Sequence, residues 1–339
     1  MPANASPERS LPVDVVITWV DGNDRRLMEK MEPFLKGQDR RNNPGANLTR
    51  FASVNEIRYC VLSILTFAPF VRNIFIVTDG QYPNLDEDIR TWFPERRDSV
   101  RIVDHSEIFR DFEEYLPTFN SRSIEFMLWR IRGLSDNFVY FNDDTFLIRK
   151  IQPEEWFINN RPVLRGRWSP IPIPWILWDF IRKTVNKYLL NNPDYQPRPS
   201  FHLGQWLSAS TLGMKCRYFV YSHTPHAIHR KNVEEFFSDK KELLEKNIAY
   251  RFRNHKQLVF AALSSHLELI DGNKQSTKPD LAYLQPLNRP KNYIDKKIRL
   301  CEKNPRIKFL CVQSLEMCRK EDQEKLFSWM ETVLQLNKA

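Results

Sequence analysis

Glycine is scarce in this sequence, and apolar runs of membrane-spanning length are missing altogether. Only 9 of 339 residues are Gly against 22 Pro, so its loops are stiff rather than supple. The five cysteines, Cys60, Cys216, Cys301, Cys311 and Cys318, are odd in number, scattered and without a Cys-x-x-Cys pair. Neither a disulfide framework nor a zinc site is indicated, and a reducing cytoplasm is the expected compartment. No stretch reaches the length of a membrane span. Residues 1–11 are polar and the first apolar run is short and interrupted by Asp14, which is unlike a secretory leader. Internal repeats and low-complexity tracts are absent. Acidic residues are outnumbered, 42 Asp plus Glu against 51 Lys plus Arg, a net charge of +9. That balance favours anionic partners: sugar nucleotides, phosphate-bearing polymers, acidic lipid surfaces or nucleic acid.

What is present is enough for a full core. With 42% hydrophobic residues the chain suits one large α/β domain with additions, or two domains. Val13 to Val20 reads as a buried strand entering the turn Asp21-Gly22-Asn23-Asp24. Residues 24–50 predict a charged helix and then a loop around Asn42-Asn43-Pro44-Gly45. Ser53-Val54-Asn55-Glu56 has the spacing of a capping box ahead of a helix over about 54–67. Asn73 to Thr78 and Val100 to Val103 are further strands, each followed by an acidic residue, Asp79 and Asp104. A helix is expected after Asn120-Ser121, with Ile124, Met127, Leu128 and Ile131 on one face and a stop at Gly133. This alternation over the first 150 residues predicts a mostly parallel sheet with helices on both faces.

The later chain is more varied. Residues 160–200 form a Pro/Trp/Arg-rich insertion, with an amphipathic helix from Trp175 to Leu190 that carries Arg182, Lys183 and Lys187. Such a segment suits an anionic membrane surface, an acceptor groove or simple packing on the main domain. Asn232 to Lys246 and Asn254 to Leu267 predict helices with Asn caps. Residues 273–297 read as a polar linker or arm, and residues 298–339 as a C-terminal helical segment whose Leu326, Phe327, Trp329, Met330, Val333 and Leu334 bury one face. The catalytic domain is therefore expected over residues 12–272.

The most informative stretch is Phe138-Val139-Tyr140-Phe141-Asn142-Asp143-Asp144, a covered-strand pattern ending in an amide and two carboxylates. Ligands of open α/β sheets bind beyond the carboxyl ends of their strands. Hard cations such as Mg²⁺ use few carboxylates plus substrate phosphate oxygens. Asp143 and Asp144 thus suit a divalent cation holding a nucleotide diphosphate, although an isolated Asp-Asp is more often turn chemistry.

Four segments together resemble the Stealth proteins, sugar-phosphate transferases that include bacterial capsule polymerases and the α/β subunit of the lysosomal GlcNAc-1-phosphotransferase. They are Asp14 to Gly22; Asn55-Glu56-Ile57-Arg58-Tyr59 through Ala68 to Gln81; Leu116 to Ser121 with Ile124-Glu125 and on to Asn142-Asp143-Asp144; and His223-Thr224-Pro225-His226 with Arg253-Asn254-His255-Lys256-Gln257. The resemblance covers roughly residues 13–263. It implies a GT-A-like fold and transfer of hexose-1-phosphate, of an N-acetylhexosamine in particular, from a UDP-sugar to a saccharide hydroxyl. UMP leaves and the anomeric C–O bond stays intact. The product would be a phosphodiester in a capsular or other surface polysaccharide.

The resemblance also carries roles onto residues. His223 would be the catalytic base and Arg253 the phosphate-binding arginine, with Asn142 beside a Mg²⁺ or Mn²⁺ held by Asp143 and Asp144. Trp19, Asp21 and Asn23 would meet the uridine and ribose, Arg58 the pyrophosphate and Glu125 the sugar. For Asp21 and Arg58, turn chemistry and a surface ion pair are the competing readings. Trp129 departs from the family pattern, where a histidine is expected. The partners implied are the UDP-sugar donor, an oligosaccharide or polysaccharide acceptor, and peripheral contact with the inner face of the membrane or with capsule-assembly machinery. No nucleic acid is expected. Two rival readings remain: an ordinary glycosyltransferase that releases UDP, and a non-catalytic basic protein binding nucleic acid or an acidic polymer.

Overall fold

The structure, a computed structural model, describes residues 12–35, 51, 53–192 and 195–336. The loop expected around Asn42 to Gly45 lies outside the described residues. In the first half, β1 (Val13–Thr18), α1 (Arg25–Leu35), α2 (Glu56–Phe67), β2 (Ile74–Thr78), α3 (Asp86–Trp92), β3 (Val100–Asp104), α4 (His105–Ile108), α5 (Ser121–Glu125) and β4 (Asn137–Asn142) follow one another. The middle holds β5 (Thr145–Leu147), the hairpin β6 (Phe157–Ile158) and β7 (Arg161–Pro162), β8 (Leu164–Pro170), α6 (Ile173–Thr184) and α7 (Phe201–Thr211). Then come β9 (Arg217–Tyr221), β10 (His226–His229), α8 (Arg230–Ser238), α9 (Lys241–Ile248) and α10 (Phe260–Ile270). The chain closes with β11 (Ser276–Thr277), β12 (Leu281–Leu284), α11 (Tyr293–Lys303), β13 (Phe309–Val312) and α12 (Lys320–Leu334).

The main sheet has the order β10-β4-β1-β2-β3. Strands β4, β1, β2 and β3 are mutually parallel, and β10 runs antiparallel on the β4 edge. The α/β reading holds, and the sequence patterns explain why. Both faces are covered, so β1, β2 and β4 are nearly continuous apolar runs rather than alternating ones. Val15, Ile17, Val139 and Phe141 point into one core and Val16, Phe138 and Tyr140 into the other, the period of two dictated by the pleat. Each fully buried Phe or Ile contributes about 1.5–3 kcal/mol. The polar exception inside β1, Asp14, is fully buried and tied down: Arg72 donates to both its oxygens (2.9 and 2.5 Å), and the backbone N–H groups of Ser135 (2.7 Å) and Asn73 (3.1 Å) complete the shell.

Three expectations are corrected. Residues 273–297 are no linker: β12 pairs in parallel with β13, β13 pairs antiparallel with β5, and α11 begins at Tyr293. The C-terminal helix α12 joins the same core, with Phe327 stacked on Tyr59 of α2 at 4.6 Å. The single helix expected over 121–133 is instead the short α5 followed by a 3-10 turn, Leu128–Arg130. The helices of the 230–270 region are preceded by His229, Lys240 and Val259 rather than by capping asparagines. Helix α2 starts at Glu56 after a left-handed Asn55 (φ 72°), and its Glu56 carboxylate reaches back to the backbone N–H of Val54 (2.7 Å) and the hydroxyl of Ser53 (3.2 Å).

Candidate active site

The sheet order places a topological switch between β1 and β4. From β1 the chain moves outward through β2 to β3, whereas β4 lies on the other side, so the place where open α/β sheets of this order form their ligand crevice is beyond the carboxyl ends of β1 and β4. Thr18 and Asn142 are register partners there. Tyr140, one turn of the pleat below, donates its hydroxyl to Asn142 Oδ1 (2.9 Å) and pairs with the Thr18 hydroxyl (3.0 Å). With its oxygen held by Tyr140, the Asn142 amide nitrogen is left to donate elsewhere.

Asp143 and Asp144 form the two-residue turn from β4 into β5. Strand β5 leaves the main sheet and joins the β12-β13 sheet, so the acidic pair sits where two sheets meet. Burial, then Asp144 and Glu56, pushes the Asp143 carboxyl well above the carboxylate range. Burial pushes Asp144 up to about 6, with the Thr145 hydroxyl (3.3 Å) working in the opposite direction and Glu56 adding to the rise. Three acids crowded in this way call for a cation. Among the described residues, however, no group of three or more His, Cys, Asp or Glu side chains is placed to hold a metal ion on its own. Any ion here would complete its shell from water or a bound phosphate. Cys60 and Cys311 border the pair, and burial raises both thiols well above their ordinary value, so neither is a thiolate nucleophile.

Polar groups dock a segment from the second half of the protein on the start of α5. Phe119 donates its N–H to Arg251 O (2.9 Å), and the Asn120 side-chain amide donates to Tyr250 O (2.8 Å) and Gln257 Oε1 (2.9 Å), which docks the 250–257 segment on the start of α5. Arg253 then donates to the Ser121 hydroxyl, and that hydroxyl donates to Glu125 Oε1 (3.2 Å). Burial raises the Glu125 carboxyl, opposed by Arg253, Arg122 and hydrogen bonds from Ser121 and Tyr140. Arg253, Ser121 and Glu125 thus form one hydrogen-bonded set and Tyr140 with Asn142 another, and the Glu125 carboxyl feels both Arg253 and Tyr140. Arg122 lies behind it, fully enclosed and lowered to about 10 by burial and then by Arg253. Helix α7 can approach this guanidinium because residue 204 is Gly: a Cβ there would stand 3.2 Å from Arg122 and 2.7 Å from Val259.

His223, in the connection from β9 to β10, is sandwiched between Phe201 (centroids 4.5 Å) and Tyr283 (5.2 Å), both within 19° of parallel. Tyr283 is the β12 register partner of Cys311, which in turn pairs with Thr145. Its hydroxyl is raised to about 12 by burial, then by Cys311 and Asp144. The imidazole is therefore stacked on a ring whose hydroxyl feels the Asp144 charge. Burial, then His202, lowers its pKa, so it is neutral at physiological pH. His226 packs on Tyr140 and Tyr221 and is held to about 3 by burial, then His223 and Arg165. It stays neutral throughout and acts as a wall.

The β1 loop flanks the crevice. Gln81 clamps it, accepting from the Asp21 N–H (2.9 Å) and donating to Asp21 O (2.9 Å) and Asp24 Oδ2 (3.1 Å). The Asp21 carboxylate caps the Asn23 N–H (2.9 Å), the turn chemistry of an Asx bend, and Trp19 carries a buried indole N–H without a protein partner. Arg58 does not face the acidic pair. It forms a two-pronged ion pair with Asp88 (2.8 and 2.6 Å) and lies 3.6 Å from Glu331, the ion-pair reading of that residue. Trp129 donates its indole N–H to Phe126 O (2.9 Å).

Glu56, Arg122, Ser121, Tyr140 and Tyr283 were not legible as site residues. Tyr140 could have been found, since a Tyr two positions before a terminal Asn on one strand face is aimed at it. The others depend on contacts across the chain.

Comparisons with known proteins follow this geometry. Residues 11–39 match Stealth protein CR1, conserved region 1, and residues 50–163 match Stealth protein CR2, conserved region 2. Together these regions contain Trp19, Asp21, Asn23, Arg58, Glu125, Asn142, Asp143 and Asp144, whereas His223 and Arg253 lie outside them. The capsular polysaccharide phosphotransferase fcs1 of Haemophilus influenzae is 31% identical over 274 residues, 80% of this chain and 69% of that protein. The exopolysaccharide phosphotransferase SCO6023 of Streptomyces coelicolor is 40% identical over 173 residues, 51% of this chain and 28% of that protein. The capsular polysaccharide phosphotransferase cps1A of Actinobacillus pleuropneumoniae is 41% identical over 150 residues, 44% of this chain and 39% of that protein. The chain thus matches well under half the length of the latter two relatives. Among solved structures, the galactosyltransferase LgtC in complex with donor and acceptor sugar analogs is similar over 94% of this chain at 10% identity, with a TM-score of 0.45. At that distance the fold assignment rests on the strand order above.

Proposed function

Because the chain belongs to the Stealth protein family, we propose that it is a metal-assisted sugar-1-phosphate transferase of surface-polysaccharide synthesis. It takes hexose-1-phosphate, of an N-acetylhexosamine in particular, from a UDP-sugar and attaches it to a saccharide hydroxyl. UMP is released and a phosphodiester is formed. What supports this reading is the acidic turn at the carboxyl end of β4, with Tyr140 holding Asn142 beside it, Arg253 tied through Ser121 to Glu125, and the His223 ring stacked on Tyr283. The phosphotransferase names of the relatives support the same class of reaction.

Asp143 and Asp144 would hold Mg²⁺ or Mn²⁺, and their burial beside Glu56 fits a cation that shares its shell with phosphate oxygens. When bound, such an ion neutralises charge on the diphosphate. Arg253 would direct N–H donors at the equatorial oxygens of the transferred phosphorus, its fork set by Ser121 and Glu125. The Asn142 amide would donate to the same group. A ring nitrogen of His223 would take the acceptor hydroxyl proton as the new O–P bond forms and the bond from phosphorus to the UMP oxygen breaks. Trp19, Asp21 and Asn23 would meet the uridine and ribose. The reaction belongs on the cytoplasmic side, and no helix among the described residues is long and apolar enough to cross a membrane.

The test is incubation of the purified chain with a panel of UDP-hexoses, Mg²⁺ and oligosaccharide primers, with the nucleotide product identified by mass and the linkage by phosphorus NMR. UMP with a phosphodiester supports the proposal. UDP with a glycosidic product replaces it with ordinary glycosyl transfer. Absence of turnover together with salt-sensitive binding of unrelated polyanions replaces it with a non-catalytic binding protein.

A further inference from the structure

Helix α6 and the turn after it, residues 185–189, expose the wrong side chains. None of its residues is buried. Trp175, Leu177, Trp178, Phe180 and Leu189 are all more than half exposed. Its charged Asp179, bound to Lys183 at 2.7 Å, is half-buried while Phe180 beside it is exposed. His255 lies within electrostatic reach of both charges. A helix that leaves its aromatics in water while its acid is half-buried has the polarity of an element covered by something apolar.

We propose that α6 and the adjoining turn are a docking surface for an anionic lipid bilayer, on which the helix lies parallel to the membrane plane. Charge selects this occupant. Arg182 lies over the Trp178 ring (5.1 Å), Lys187 over Tyr188 (5.2 Å) and Arg217 over Trp168 (4.5 Å), just ahead of the helix. These three cations, with exposed Arg167, form no ion pair among the described residues, and the whole chain carries +9. Tryptophan and tyrosine paired with lysine and arginine is the composition of a bilayer interface, where rings sit at headgroup depth and cations meet lipid phosphates. The 12-residue α6 spans about 18 Å, too short to cross the hydrocarbon core.

The surface is also beside the crevice. Trp175 stacks on His202 (5.7 Å), and the next residue back, Phe201, stacks on His223. Docking would hold the crevice mouth at the membrane; that an acceptor is met there rests on the transferase reading, whereas the docking itself does not.

The experiment is co-sedimentation of the full chain, without substrate, with phosphatidylcholine vesicles and with vesicles containing phosphatidylglycerol. The salt would be about 50 mM and then about 500 mM. Expected is binding to the phosphatidylglycerol vesicles that weakens at high salt and falls about tenfold or more in the triple variant Trp175→Ser, Trp178→Ser, Phe180→Ser. Circular dichroism would check that its fold is retained. A second variant, Arg182→Glu with Lys187→Glu, keeps the apolar face and should lose the preference for phosphatidylglycerol. Failure of the unaltered chain to bind at low salt, or undiminished binding by both variants, overturns the proposal. So does a lipid-free dimer in light scattering that the triple variant dissolves, since a second copy would then be the occupant.

Discussion

Replacing Asp144 by Asn should make the protein more stable and inactive at once. The carboxyl rises from 3.8 to about 6 in the folded chain, equivalent to about 3 kcal/mol between the two protonation states. A raised carboxyl binds its proton more tightly when folded, so this group's contribution to stability is fully present below the unfolded value near 3.8 and is lost as pH climbs through about 6. At pH 7.5 the whole cost is present. Because the side chain keeps some solvent contact, screening reduces the gain expected from Asp144→Asn to about 1–3 kcal/mol, a few degrees in melting temperature for a chain of this size. The Asn oxygen can still accept from Thr145, and the Val312 N–H bond to Asp144 O uses only backbone. Denaturant titrations at pH 7.5 in chelator would read the gain. Adding Mg²⁺ or Mn²⁺ should stabilise the unaltered protein, by about 2.7 kcal/mol at a hundred times its dissociation constant, and should stabilise the variant much less, while UMP release disappears. A variant no more stable than its parent, or one still turning over, would refute the idea that function maintains a repulsive acidic turn here.

Three further outcomes are expected. His223→Ala should retain donor binding by calorimetry and lose about 10²–10⁴ in kcat; because burial lowers this imidazole, the activity of the unaltered enzyme should hold down to pH values below 6.5 before its acid limb sets in. Arg253→Lys should reduce kcat about a hundredfold or more with the charge conserved, since a single ammonium cannot both bond Ser121 and present a fork to phosphate; an effect confined to the acceptor KM would remove it from the phosphoryl group. Asp14→Ala should cost about 1–3 kcal/mol in denaturant unfolding by leaving the N–H groups of Ser135 and Asn73 without their acceptor, while the part-exposed Arg72 turns to water, and no measurable loss would mean that water replaces the carboxylate.

Much of this was written locally in the chain. The runs of β1, β2 and β4, the spacing of α2 and the acidic turn are all set by near neighbours, because backbone hydrogen bonding and the pleat act over a few residues. So was the family, carried by segments in order. The tertiary structure decided what those segments meet. Residues 281–284 have polar and Pro-rich flanks and too few residues for a period, yet they become β12 because β13 and β5 offer an edge, and Tyr283 is thereby set against His223. Arg253 reaches Ser121 across 132 positions only because Asn120 and Gln257 hold the two segments together. Arg58, by contrast, is claimed by Asp88 and Glu331, an acid from the last helix. Which partner a long charged side chain takes depends on which charges the whole fold buries beside it, and no local pattern holds that information.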